Sequence, residues 1–144
     1  MALMNAELTH PDYGFTVKDS NDHSVFIDIP VEQGGHGGGL RPMQTVLAAL
    51  CGCSGVDVVS ILKKQRQTYT GLRISVDGER EAGKEPSLWK DIQVKFELTG
   101  DVDTAKAYRA CELSITKYCS VAETLRRAGA AITFSVLVNG EEIK

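Results

Sequence analysis

The sequence lacks any excess of positive charge. Its 16 Lys and Arg residues stand against 19 Asp and Glu residues, which gives a net charge of −3 at pH 7. Proteins that bind nucleic acids depend largely on basic side chains that neutralise phosphates. The charge balance therefore argues against a nucleic-acid partner.

Long apolar runs are also missing. No uninterrupted stretch approaches the roughly 18 apolar residues typical of a transmembrane helix, so we expect no membrane span. Residues 1–7 lack the basic start and apolar core of a secretory signal, and we expect a cytoplasmic protein. In a reducing compartment the four cysteines are expected to be free, metal-bound or redox-active rather than structural disulfides.

The composition that remains is typical of one soluble domain. The chain has 144 residues, of which 42% are hydrophobic and 24% charged. These values are close to the averages of globular proteins. No internal repeat and no long linker divides the sequence, so residues 1–144 are predicted to form a single domain.

Hydrophobic periodicity predicts hairpins separated by helices. Alternating apolar residues at 13–17 and 25–29 predict a hairpin with a turn at 19–22, and the glycine-rich residues 34–39 predict a mobile loop. The order ββ(β)–α–ββ–α–α–β favours an α+β fold with a mainly antiparallel sheet. The later elements are strands at 72–76 and 92–98, a helix capped by Asp103, a short helix between Cys119 and Gly129, and a final strand at 132–138.

A long central helix is predicted to begin at Pro42, whose fixed φ suits the first helical position, and to run to about Gln67. An apolar stripe is backed by small residues, which predicts a helix covered on most sides by sheet or by a partner chain. Gly52 and Gly55 lower intrinsic helicity by ~1 kcal/mol each, so close packing is expected to compensate.

Cys119 lies where a thiol could be activated. Ser120 and Glu123 have the spacing of a capping box, which would place Cys119 just before a helix N-terminus. The positive end of the helix dipole favours a thiolate there. Equally, Cys119 could be a half-buried small residue that packs at the helix start, and the sequence leaves both interpretations open.

Cys51 and Cys53 lie on the predicted central helix, roughly 200° apart around its axis. They cannot converge on one metal ion, so no metal site is predicted. One of them can face a site while the other packs. Asp57 follows Cys53 by one turn and could orient a cation or a helix end, or form a buried polar tie. Cys111 lies in an apolar stripe and is expected to be an inert core thiol.

Two segments, 41–62 (RPMQTVLAALCGCSGVDVVSIL) and 117–121 (KYCSV), resemble the paired signatures of the OsmC/Ohr family of thiol-dependent peroxidases that act on organic hydroperoxides. The resemblance implies an intertwined homodimer with a curved sheet around long central helices. It further implies a peroxidatic Cys53, a resolving Cys119, Cys51 on the packing side, reduction by an external thiol or dithiol, and no cofactor.

The activating residues of the family are replaced in this sequence. Met43 stands where the family has a Glu, and no Arg precedes Arg41. Arg41, Gln44 and Asp57 are therefore the candidates that could activate or line the site, with Lys18 as a further cation. The alternatives to a peroxidase are a non-catalytic dimeric binding module for a small apolar or thiol-reactive ligand, and a structural dimer with inert thiols.

Overall fold

The computed structural model describes residues 2–144. The chain divides into two compact units, one up to Val46 and one from Leu47 to Lys144. Both contain strands as well as helical segments, so the predicted α+β class is confirmed. The assignment of residues 1–144 to a single domain stays a prediction.

The first unit contains a three-stranded antiparallel sheet in the order β1 (Asn5–Leu8), β2 (Phe15–Lys18), β3 (Ser24–Ile27). Strands β2 and β3 pair with Val17 opposite Val25, which confirms the predicted hairpin. The Asp19 carboxylate accepts hydrogen bonds from the backbone N–H groups of Asn21 and His23, at 2.8 and 2.9 Å, and so fixes the turn.

Hydrogen bonds to one buried carboxylate anchor the glycine-rich segment, and its predicted mobility stays a prediction. Asp28, only 5% exposed, accepts backbone hydrogen bonds from Ile29, His36 and Gly38. A Cβ added at Gly39 would come within 2.3 Å of the Phe26 carbonyl oxygen. The glycines therefore allow close backbone approach, and the buried carboxylate satisfies the amides that this approach leaves unpaired.

Helix α1 (Pro42–Lys64) begins at the predicted residue. It ends at Lys64, three residues before the predicted end at Gln67. Arg66, just beyond the helix, adopts a left-handed φ of 55°. Its buried residues form one stripe, namely Leu50, Ser54, Val58 and Leu62.

The sequence predicts that sheet or a partner chain covers α1 on most sides, but the single chain leaves part of the helix surface exposed. Val56 and Val59 are 67% and 40% exposed. Gly55 packs closely, because an added Cβ would lie 3.0 Å from the Ile74 side chain, but an added Cβ at Gly52 would contact nothing within 4 Å. The close packing that was expected to compensate for the low helix propensity of glycine is therefore present at Gly55 but not at Gly52.

Within residues 2–144, α1 is the one helix long and apolar enough to cross a membrane by length and composition. Core helices of soluble proteins pass the same test. The buried stripe of α1 shows that one face of this helix contributes to a protein core.

The second unit contains a four-stranded sheet in the order β4 (Gly71–Arg80), β5 (Trp89–Thr99), β6 (Ala131–Val138), β7 (Glu141–Ile143). The long β4–β5 hairpin is confirmed, and β5 points Ile92, Val94, Phe96 and Leu98 into the core. Strand β7 was not predicted. Strands β5 and β6 are parallel because a helical crossover joins them.

That crossover consists of α2 (Thr104–Leu113), a π-helical turn (Ser114–Tyr118) and α3 (Ser120–Arg127). Asp103 caps α2 as predicted, since its carboxylate accepts a hydrogen bond from the Lys106 N–H. Gly129 follows α3 with a φ of 106°, as expected of a residue just beyond a helix end.

Candidate functional site

Two cysteines and one carboxylate converge in the second unit. The Sγ atoms of Cys53 and Cys119 and a carboxylate oxygen of Asp57 all lie within 4.8 Å of one another. We call these three residues the thiol cluster. Cys119 is buried at 2% exposure, whereas Cys53 and Asp57 are half-buried. The thiol cluster therefore contains one buried sulfur, that of Cys119, and one more accessible sulfur, that of Cys53.

Local helix geometry explains two members of the thiol cluster. Cys53 and Asp57 are four residues apart on α1, so their side chains lie on the same face one turn apart. Cys51, two residues earlier, points elsewhere and is not part of the cluster. The structure thus separates the two cysteines as helix periodicity required.

The third member, Cys119, is itself the N-cap of α3. Its Sγ accepts a hydrogen bond from the Ala122 N–H at 3.4 Å. This corrects the predicted capping box, in which Ser120 was the N-cap. Ser120 is instead the first helical residue, and the Glu123 carboxylate pairs with Arg126 and Arg127. The sulfur occupies the place that a hydroxyl takes in most N-caps.

The π-helical turn directs Cys119 toward α1. The Cys119 N–H donates to the Ser114 carbonyl five residues earlier, at 2.8 Å, which is the hydrogen bond of a π-helix. One extra residue in the turn shifts the helical phase, so that Tyr118 is 51% exposed. The following residue, Cys119, is buried instead.

Ser114 ties the two parts of the cluster together, and sequence reasoning missed it. Its hydroxyl is fully buried and donates to Asp57 Oδ2 at 3.0 Å, with the Ser54 carbonyl oxygen 3.3 Å away. Asp57 therefore forms a polar tie to the π-helical turn, and its predicted role in orienting a cation or a helix end stays a prediction. The available signal was a serine three residues after the buried Cys111, just beyond the end of α2.

Burial controls the protonation of Cys119. Burial, together with smaller contributions from the hydrogen bond with Cys53 and the charge of that residue, raises the pKa of this thiol to about 11. The hydrogen bond from the Ala122 N–H lowers the pKa, but by less than burial raises it. Cys119 is thus a protonated thiol near neutral pH, which favours the second of its two open interpretations, a residue that packs at the helix start.

The two remaining cysteines, Cys51 and Cys111, lie outside the thiol cluster. Cys111 is fully buried, and burial raises its pKa to about 12, in agreement with the predicted inert core thiol. Burial also raises the pKa of Cys51. All four cysteines are free.

Arg41, Gln44 and Lys18 have contacts of their own in the first unit. The Gln44 side chain accepts a hydrogen bond from the Arg41 N–H at 2.9 Å and so stabilises the start of α1. Lys18 forms an ion pair with Asp22 at 3.0 Å. Their predicted participation in activating Cys53 stays a prediction.

A surface cleft of about 330 Å³ reaches Cys119. Side chains of both charges border it. The residues that line it are Lys117, Tyr118, Cys119, Ser120, Glu123, Thr124 and Arg127.

Residues 35–135, which include the whole thiol cluster, match the model of a family described as OsmC-like protein. The chain belongs to the OsmC-like family. Protein YhfA of Escherichia coli K12 is 44% identical over 88 residues, which cover 60% of this chain. The match spans 65% of YhfA, slightly less than two thirds of its length.

Solved structures agree with the family assignment. A hypothetical protein of Aquifex aeolicus is 30% identical, with a TM-score of 0.78 over 96% of this chain and 98% of its own. An organic hydroperoxide resistance protein OsmC of Legionella pneumophila has a TM-score of 0.72 at 17% identity, over 96% of this chain and 97% of its own. The resemblance to the OsmC/Ohr family and the predicted OsmC-like fold are therefore confirmed.

Proposed function

We propose that this OsmC-like protein is a thiol-dependent peroxidase that reduces organic hydroperoxides, with Cys53 as the peroxidatic and Cys119 as the resolving cysteine. The observation that carries the proposal is the approach of the two sulfur atoms to within 4.8 Å, although 66 positions separate the residues in the sequence. A disulfide, with an S–S length of about 2.05 Å, needs the sulfurs to approach by less than about 3 Å more.

The chemistry divides into two steps. The Cys53 thiolate attacks the distal oxygen of the hydroperoxide, the O–O bond breaks, and the alkoxide takes a proton and leaves as an alcohol. Cys53 is thereby oxidised to a sulfenic acid. The Cys119 sulfur then attacks the Cys53 sulfur, the hydroxyl leaves as water, and a disulfide forms. An external dithiol returns both cysteines to thiols by exchange.

The environments of the two sulfurs support this division of roles. Cys53 is half-buried and can be reached by a substrate, whereas Cys119 is 2% exposed. Cys119 is also held as a thiol by burial, which raises its pKa. A protonated thiol does not compete with Cys53 for the hydroperoxide. Asp57 acts here as a positioning residue, since its tie to Ser114 holds α1 against the turn that leads to Cys119.

The surroundings of the cluster support an organic substrate and an external reductant. Cys53 and Asp57 lie on a helix rich in apolar residues, and each buried CH₂ group of a ligand contributes ~0.8 kcal/mol. The cleft beside Cys119 gives a reducing thiol a route to the disulfide. The Legionella pneumophila protein, whose name refers to organic hydroperoxide resistance, shares this fold.

A homodimer is part of the proposal. Val56 and Val59 form an exposed apolar patch on α1, and Gly52 on the same helix has open space beside it. A second copy of the chain, packed against α1, would bury these residues and complete the cover that the sequence predicts. The cytoplasmic location stays a prediction, with which the four free cysteines are consistent.

The direct test is consumption of an alkyl hydroperoxide with a dithiol as reductant. Wild type should turn over the hydroperoxide, Cys53→Ser should lose turnover, and Cys51→Ser, on the same helix, should retain it. Equal rates for wild type and Cys53→Ser would remove the peroxidatic role. Absence of turnover in wild type, together with retention of an apolar ligand, would favour the binding module instead.

A further inference from the structure

The thiol cluster offers three ligand atoms of the kinds that bind soft divalent metals. Cys53 and Asp57 come from one face of α1 and Cys119 from the N-cap of α3, and their ligand atoms lie within 4.8 Å of one another. The sequence predicted no metal site because Cys51 and Cys53 diverge on α1. That argument holds for this pair, but it does not cover a pair made by Cys53 and the distant Cys119.

The spacing of these atoms is close to that of a bound zinc site. Zinc binds thiolates at about 2.3 Å and carboxylate oxygens at about 2.0–2.2 Å, and tetrahedral angles then place two sulfurs ~3.8 Å apart. Atoms that already lie within 4.8 Å need to close by about 1 Å. Side-chain rotation of Cys53 and Asp57, which are half-buried, is sufficient for such a shift.

Neighbouring groups orient the ligands. The buried Ser114 hydroxyl donates to Asp57 Oδ2 at 3.0 Å, which leaves the other carboxylate oxygen available to an ion. The Ala122 N–H donates to Cys119 Sγ and supports negative charge on that sulfur. Hydrogen bonds from a second layer of this kind are a regular feature of protein metal sites and strengthen binding.

We propose that the reduced protein binds one soft divalent metal ion, of which Zn²⁺ is the representative, through Cys53, Asp57 and Cys119. Two sulfur ligands select Zn²⁺ over the oxygen-seeking Mg²⁺ and Ca²⁺. Three protein ligands leave a fourth position for water or a small ligand, as in catalytic rather than structural zinc sites. Metal binding displaces the two thiol protons.

This site goes beyond the proposed peroxidase and links metal binding to the redox state. A metal-bound Cys53 shares a sulfur lone pair with the cation, which makes the sulfur a weaker nucleophile toward a hydroperoxide, so the ion slows its oxidation. Conversely, a hydroperoxide that oxidises Cys53 and Cys119 to the disulfide is reduced to an alcohol and water, and this removes two of the three ligands. The disulfide form therefore releases the metal.

Titration of the reduced, metal-free protein tests the site without any activity measurement. With Zn²⁺ we expect one ion per chain by calorimetry, and with Co²⁺ we expect near-ultraviolet absorption from thiolate-to-cobalt charge transfer. Cys53→Ser and Asp57→Asn should weaken binding by about 10-fold or more, and Ser114→Ala by about 10–100-fold as a second-layer group. Cys51→Ser, on the same helix, should bind like wild type.

Several results would overturn the site. These are no thiolate-to-cobalt absorption in the reduced protein, equal loss of binding in Cys51→Ser and Cys53→Ser, or equally tight binding by the disulfide form. Cys119→Ser, in which the serine hydroxyl can still cap α3, provides a folded variant that lacks one sulfur. Hydroperoxide consumption in the presence of a chelator distinguishes the two proposals, because a peroxidase that fails to bind metal still turns over.

Discussion

Ser114 donates a hydrogen bond to Asp57 at 3.0 Å and so links helix α1 to the π-helical turn that precedes Cys119. Both cysteines of the thiol cluster depend on this contact for their relative position, since Cys53 lies one turn before Asp57 and Cys119 lies five residues after Ser114. The donor, Ser114, is fully buried. It is the hydrogen bond that the proposed chemistry requires most.

Ser114→Ala removes this hydrogen bond and leaves a carboxylate oxygen without its donor. We expect the free energy of unfolding to fall by about 1–3 kcal/mol, as is typical when a buried partner loses its hydrogen bond. Formation of the Cys53–Cys119 disulfide should also slow. Urea denaturation and time-resolved thiol counting measure the two effects. Ser120→Ala, at an exposed position nearby, is the control and should change neither.

Cys119 has a structural role besides its proposed redox role, and two substitutions separate them. Cys119→Ser retains an N-cap, whereas Cys119→Ala loses it, so the alanine variant should be less stable by about 1 kcal/mol. Neither can form the disulfide. Thermal unfolding of the reduced proteins measures the difference. Equal stability of the two variants would contradict the capping role of the sulfur.

Ser114 and Cys119 show which parts of the fold and of the candidate site could be predicted from the sequence. Strands β2 to β6, the start of α1 at Pro42 and the convergence on a late cysteine follow from periodicity and from the family resemblance. The N-cap was placed one residue too late, because Ser120 and Glu123 have the ideal spacing while a sulfur cap has no sequence signature. The π-helical turn was missed since an α-helical period fits the residues up to Ser114 and only the fold selects the extra residue.

Val56 is expected to lie in a homodimer interface. Val56→Glu places a charge on the apolar patch of α1 and should convert a dimer to a monomer, because burial of an unpaired carboxylate is unfavourable. Light scattering after size-exclusion chromatography measures the mass. Val31→Glu is a matched control, since Val31 is 68% and Val56 67% exposed in the single chain. A dimer that persists in Val56→Glu would place the interface elsewhere.

Asp28 makes the first unit sensitive to acid. The backbone hydrogen bond from Gly38, followed by those from Ile29 and His36, holds the pKa of this carboxyl below its usual value of 3.8. A depressed folded-state pKa contributes stability that is present above the unfolded pKa and is lost as the pH falls below about 4. Unfolding between pH 2 and 6 should show this loss in wild type. In Asp28→Asn the protein should be less stable at pH 6, with a smaller further loss in acid.

The central claim is that Cys53 and Cys119 form a disulfide when an organic hydroperoxide is reduced. Intact mass spectrometry after one equivalent of alkyl hydroperoxide, followed by peptide mapping, tests it directly. The account predicts loss of the two thiol hydrogens, a crosslink between the peptides that contain Cys53 and Cys119, and a free Cys111. An unchanged mass, or a crosslink that includes Cys51 or Cys111 instead, would contradict it.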